Sequence, residues 1–363
     1  MKQPTSDILK PLKKHKLVAE PKTEENPSSQ DSQAGPVPRI TNETVASHRE
    51  DVLKSARKYI YPLKHSKHRI ILISTSLVIV AVVGFFGYCT LALYKFGSYS
   101  TFLYRVTEII PFPIARVGGH FVAYENYLFE LNHYIHYYQT QQKLNFASPA
   151  GAQQLEDYRQ RALDKVINDA YVKELAQKNN VTVTDQEVNE QVSIVRQENR
   201  LGNNQAEFED VLKTYWGWSV DDFKRELKTQ LLDQNLVSAL DTGTHQRAQT
   251  ALAAVQGGQD FAAAAAQYSD DQTTKANGGQ YGFLISENDV NVPPQVVSAL
   301  FALKAGQITG IINTGYSLEI DKVLSIQGSQ IQAAHIVFNF KDINTYLTPL
   351  KDQQKATTYI KTS

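Results

Sequence analysis

Asp260-Phe261-Ala262-Ala263-Ala264-Ala265-Ala266, then Tyr268-Ser269-Asp270-Asp271, then Gly278-Gly279-Gln280-Tyr281-Gly282-Phe283, then Phe301-Ala302-Leu303-Lys304-Ala305-Gly306, and finally Gly315-Tyr316 form the stretch that decides how this chain folds. The aspartate opens an alanine-rich helix and the Ser-Asp-Asp run closes it, each residue type suited to the end where it stands. A Gly-Gly-x-x-Gly turn or a Phe-Ala-Leu-Lys run is common alone. The joint order and spacing of all of them is not.

Upstream, residues 114–240 read as helical. Leu155, Tyr158, Ala162, Val166, Ala170 and Leu175 recur at steps of three to five and predict one apolar stripe facing a partner. Thr184 with Glu187, and Ser219 with Asp222, are capping-box patterns that open two further helices. The first buries Val188, Val192 and Val195, the second Phe223, Leu227, Leu231 and Leu236.

Further upstream, Ile70 to Tyr94 contains no charged residue, long enough for a helix to cross a bilayer. Lys54, Arg57, Lys58, Lys64, Lys67 and Arg69 crowd before it without an acidic residue between them, which predicts a cytoplasmic N-terminal side and an extracytoplasmic C-terminal side. The run is too far from the N-terminus, and too long, for a cleaved signal peptide. Residues 1–69 are expected to be a disordered tail and residues 95–113 an interfacial linker, with Tyr94, Phe96, Tyr99, Phe102 and Tyr104 as a headgroup-level aromatic belt. Cys89, the single cysteine, reads as a membrane-buried thiol, so no disulfide supports the exported part. A net charge of +0 gives no field that would attract nucleic acid.

The motif order from Asp260 to Tyr316 resembles the parvulin-type peptidyl-prolyl isomerase domain. Ile114-Ala115-Arg116-Val117-Gly118-Gly119 and Trp216-Gly217-Trp218-Ser219-Val220-Asp221-Asp222-Phe223 resemble, more loosely, the N-terminal helical domain of the SurA and PrsA foldases. The resemblance implies an α+β fold: one transmembrane helix over 70–94, a helical client-binding domain over 114–240, a parvulin-like antiparallel sheet with surrounding helices over 244–338, and a tail over 339–363. It also implies unfolded or proline-containing exported polypeptides as partners, and neither cofactor nor metal.

In that family a histidine on the first strand, a Cys or Asp after the first long helix, a second histidine on the last strand, and a Met and a Phe serve the site. Asp271 stands at the Cys-or-Asp position, although an Asp in a Ser-Asp-Asp-Gln turn is also a common local helix-closing residue. Ser317 replaces the last-strand histidine, Val292 the Met and Val296 the Phe, while Gln280 stands where a carboxylate is usual. Tyr281 and Leu284 fall at positions flanking the substrate pocket, with ordinary packing as the alternative.

Only Asp241-Thr242-Gly243 separates Leu240 from the next helix, which leaves no room for a first strand. A matching strand, Ala333-Ala334-His335-Ile336-Val337-Phe338, lies at the far end. It is either the remnant of a second domain or a strand that folds back to complete the first; the second is favoured, because an unfilled central position would leave backbone groups unpaired. A hairpin centred on Ile326 would then set Ser317 opposite His335, making Asp271, His335 and Ser317 the candidate catalytic residues. Glu130, His133 and His136 share a helix face and read as a solvated amphipathic surface rather than metal ligands. A membrane-anchored foldase is the reading that results, with a non-catalytic holdase as its rival.

Overall fold

The computed structural model describes residues 39–60, 63–199, 201 and 204–361. Two compact units divide it, Met1–Val80 and Ala81–Ser363, and each is described by itself. Most of the expected disordered tail, residues 1–38, lies outside the described residues. Within the described part, Asn42–Ile60 is not disordered but forms helix α1, a stretch with no glycine or proline to interrupt it. Helix α2, Leu63–Thr90, carries the apolar run, and His68–Lys95 is long and apolar enough to cross a membrane.

In the second unit, the end of α2 passes into a π-helical turn, Leu91–Lys95, and here the membrane reading needs correcting. Cys89, Ala92 and Leu93 are buried in a protein core rather than facing lipid. The expected aromatic belt divides likewise. Tyr94, Tyr99 and Tyr104 pack onto that core, with the Tyr94 hydroxyl donating to the Pro113 carbonyl at 2.6 Å, and only Phe96 and Phe102 are exposed. The "linker" contains helix α3, Thr101–Ile109, with Leu103 wholly buried.

Pro111 and Pro113 end that run, and the chain turns into a hairpin of β1, Pro113–Val117, and β2, His120–Ala123. Five helices with a π-helical turn follow: α4 Tyr124–Thr140, α5 Pro149–Lys178, α6 Asp185–Glu198, α7 Gln205–Val211, the turn Leu212–Trp216, and α8 Val220–Leu240. Both predicted capping boxes form, at Thr184/Glu187 and Ser219/Asp222. The α5 stripe from Leu155 to Val166 is buried against α4 and its neighbours, and Val188, Val192 and Leu227 share a second cluster with Phe208.

The Trp216-Gly217-Trp218 motif is explained by a stack of rings along α4. Phe129 lies parallel to Trp218 at 5.5 Å, Trp218 is 4.4 Å from His133, His133 is 5.0 Å from Trp216, and Trp216 is 5.4 Å from Tyr137. Positions 129, 133 and 137 share one helix face, so the two indoles interleave between its rings. Gly217, at φ +71°, has no side chain to press on the His136 ring. The Glu130-His133-His136 face is therefore packed, not solvated: Glu130 is buried on Lys165, and His136 reaches the Thr214 carbonyl at 3.1 Å.

Helices α9, Thr242–Gln256, and α10, Phe261–Tyr268, pack on one face of a sheet ordered β3-β4-β5, formed by Ile312–Asn313, Ser317–Gln327 and Gln330–Asn339; α11, Pro294–Phe301, covers part of the other. No strand lies between α8 and α9. Instead β5 sits between β4 and the glycine segment, with His335 N donating to Gly279 O at 2.8 Å and Ile285 and Ile331 exchanging both backbone bonds. The hairpin register differs from expectation. Ser317 pairs with Asn339, and Asp321 is the residue opposite His335, because the turn falls at Gly328, at φ +62°, with a bulge after Val323.

Residues 339–363 were expected to be a tail, yet α12, Asn344–Gln353, buries Leu347 and Leu350 in the first core, and β6, Thr357–Thr358, pairs with β1. The parvulin-like domain is thus inserted into the helical one. At the two crossing points, the buried Asp241 accepts from Thr244 N and Oγ1 and from Lys341 N at 2.9 Å.

Candidate active site

Alternation along a strand sends every second side chain to one face. On β4 and β5 one face carries Leu318, Ile320, Ala334, Ile336 and Phe338 against α9 and α10. The other carries Ser317, Glu319, Asp321 and His335, all buried. His335 lies directly across from Asp321 and diagonally from Glu319, which brings a histidine and two carboxylates together.

Asp271 reaches them because the turn after α10 is fastened to β5. Asp270 N donates to Val337 O at 2.7 Å, Val337 N to Ser269 Oγ at 3.1 Å, and Asn339 N to Asp270 Oδ2 at 3.0 Å. Asp271 Oδ2 then lies 3.0 Å from His335 Nε2, with Thr274 Oγ1 2.5 Å from the same oxygen and 3.0 Å from the same nitrogen. The Tyr281 ring stands 4.2 Å from the imidazole and its hydroxyl donates to Asp321 Oδ1 at 2.8 Å.

Charge is distributed unevenly in this cluster. Burial works against charging His335, but the Glu319 carboxylate, helped by Asp321 and Asp271, outweighs it and holds the imidazole above its ordinary range. Burial and the neighbouring Glu319 push Asp321 up to about 7 against the opposing pull of Tyr281 and His335. Burial would also raise Asp271, yet hydrogen bonds from Thr274, Thr273 and His335 take it down to about 2. Near neutrality Asp271 is ionised and Asp321 is close to its titration point, while the carboxylates around His335 favour the charged form of its imidazole.

Of the residues expected from sequence, Asp271 and His335 are brought into contact from 64 positions apart. Asp271 also keeps its local role, accepting from Thr273 N at 2.9 Å. Ser317 does not touch His335; its hydroxyl donates to Glu319 at 3.3 Å, one step away. Tyr281 flanks the imidazole, and Leu284 is half-buried three residues on. Val292 and Val296 are 2% and 0% exposed, in a core with Ile285, Leu300 and Ile331, so they form the wall's interior rather than its surface. Thr274, Glu319 and Asp321 were missed. The signal for the two carboxyls was Ser317-x-Glu319-x-Asp321, a polar alternation with the apolar Leu318 and Ile320 between, which resembles a solvated face until its cover is known.

Residues 63–237 match the SurA-like N-terminal domain and residues 236–325 the PPIC-type PPIase domain. The chain carries a SurA-like domain and a parvulin-type isomerase domain. The second match stops before β5, so the strand bearing His335 is supplied by the fold. Chaperone SurA of Albidiferax ferrireducens is 32% identical over 31% of this chain and 28% of its own length. Foldase protein PrsA of Caldanaerobacter subterraneus subsp. tengcongensis is 29% identical over 47% of this chain and 58% of its own. The chain therefore spans about a quarter and just over half of these two relatives. Among solved structures, a PrsA peptidylprolyl isomerase from Bacillus anthracis aligns at 18% identity over 51% of this chain and 86% of that one, with a TM-score of 0.17, too low to support a structural argument.

Proposed function

We propose that this chain is a membrane-tethered extracytoplasmic foldase, in which the parvulin-type domain isomerises X–Pro bonds and the helical domain holds the unfolded client. The observation that carries this reading is the Asp271-Thr274-His335-Asp321-Tyr281 network, assembled across β5 from separate parts of the chain. Rotation about an X–Pro amide is slow because it breaks amide resonance, at a barrier of about 18–20 kcal/mol for a peptide bond. No covalent step or cofactor is needed to lower it. Polar groups fixed in a water-poor site favour the twisted amide over the planar one. Here Thr274 and Asp271 hold the imidazole at Nε2 and Tyr281 holds Asp321 beside it, so these groups are oriented before a client arrives.

The test is a protease-coupled proline-isomer assay on the full chain in detergent. His335→Ala and Asp271→Ala should each lower kcat/KM at least about tenfold, equivalent to 1.4 kcal/mol of transition-state stabilisation. A specific observation favours the rival reading, since Val292 and Val296 are buried and offer no exposed surface of their own to a proline ring. If the wild type gives no acceleration but suppresses aggregation of an unfolded protein without ATP, the chain is a holdase and the isomerase claim fails.

A further inference from the structure

The polar row on β4 and β5 contains a second arrangement that isomerisation does not require. One donor atom from each of Glu319, Asp321 and His335 lies within 4.8 Å of the other two. Glu319 Oε2, Asp321 Oδ2 and His335 Nδ1 are buried and have no hydrogen-bond partner, in residues 6%, 0% and 9% exposed. His335 Nδ1 stands 3.6 Å from Glu319 Oε2. That is beyond the 2.7–3.2 Å of an N–H···O bond, roughly. It does match two ligands on one small ion, which at bond lengths of about 2.1 Å and a tetrahedral angle stand about 3.4 Å apart.

The remaining atoms of the same three groups are already engaged. Ser317 donates to Glu319 Oε1, Tyr281 to Asp321 Oδ1, and Asp271 fixes the Nε2 side of His335. A histidine whose one nitrogen is held by a carboxylate, leaving the other free, is how metal-binding imidazoles are oriented. We propose that Glu319, Asp321 and His335 form a binding site for a divalent first-row transition cation. Imidazole with two carboxylates suits zinc or manganese and is a poor set for magnesium, which favours oxygen and water. Three protein ligands leave a coordination position for solvent.

Occupancy would draw His335 and both carboxylates onto the ion and suppress isomerase activity, a consequence that rests on the proposed function; the binding itself does not. The experiment titrates Zn²⁺ into chelator-stripped full chain in detergent, in competition with a chromophoric chelator. One ion per chain is expected. Glu319→Gln and Asp321→Asn should each weaken binding at least about tenfold, and Ser317→Ala, which keeps all three ligands, should weaken it by about the same factor. The Ser317 variant keeps the test decisive should a ligand variant fail to fold. No saturable site at zinc concentrations up to about 100 μM, the range of a weak complex, overturns the proposal, as does wild-type affinity in folded Glu319→Gln and Asp321→Asn. Zinc binding without isomerase activity in the stripped protein would sink the functional reading alone, and isomerase activity without zinc binding would sink only the metal site.

Discussion

Lys165 ties three helices together, and removing its charge should show how much the helical domain depends on that tie. Its ammonium lies 2.9 Å from Glu130 on α4, 3.1 Å from Asp169 on α5 and 3.1 Å from Glu226 on α8. Lys165→Met keeps much of the aliphatic stem but leaves three carboxylates facing one another. Breaking a buried ion pair on one side costs about 3–5 kcal/mol, and because Lys165 is 28% exposed the lower end, about 3 kcal/mol, applies. With a urea m-value of about 3 kcal/mol per molar, the unfolding midpoint should fall by about 1 M. Trp216 and Trp218 are the chain's two tryptophans and both belong to this domain, so fluorescence reads it selectively. The deficit should also depend on pH. Burial raises Glu130 to about 7 even with Lys165 present, and Asp169 is raised as well. Without the lysine the carboxyls move higher still, so between about pH 8 and pH 5.5 the native state takes up protons that the unfolded chain does not, and the variant gains stability as pH falls. An unchanged midpoint at pH 8, or a deficit that grows on acidification, would refute the reasoning.

Gly279 is at φ +79°, and a Cβ there would run into the His335 carbonyl; Gly279→Ala should cost more than about 2 kcal/mol and increase hydrogen exchange in β5 peptides. Leu347→Ala should destabilise the helical domain by about 2–4 kcal/mol in the tryptophan-read urea titration, whereas a side chain in a mere tail would leave the midpoint where it was. For topology, protease added to intact cells should digest the part after the span and spare the basic segment before it; protection of Trp216 would reverse the assignment.

Local chemistry made much of this fold readable. Thr184/Glu187 and Ser219/Asp222 announce their helices through side chains that act within one turn, and the α5 stripe through a period the helix imposes. That Asp271 and His335 come into contact was legible because their motifs survive translocation of a strand. What failed depended on distant partners. The Ile326-centred hairpin missed by a few residues because a bulge and a left-handed Gly328 set the register, neither visible as a pattern. Cys89 and Tyr94 looked lipid-facing since an apolar side chain does not declare whether acyl chains or leucines will cover it. Glu319 and Asp321 were passed over for the converse reason, as acidic alternation ordinarily faces water.

Asp241 and Lys341 lie at the two crossings between the domains, and the peptide N–H of one is bonded to the carboxylate of the other. A domain hung from one strand can swivel about any bond of its tether. Here two strands cross side by side and are cross-linked, which suppresses twisting and leaves rocking about the line through the crossings as the soft direction. The Gly315-Tyr316 turn adds a further tie, with Tyr316 accepting from Gln230 of α8 at 2.6 Å. A client that bridged both domains would therefore be presented to the imidazole with little freedom to twist.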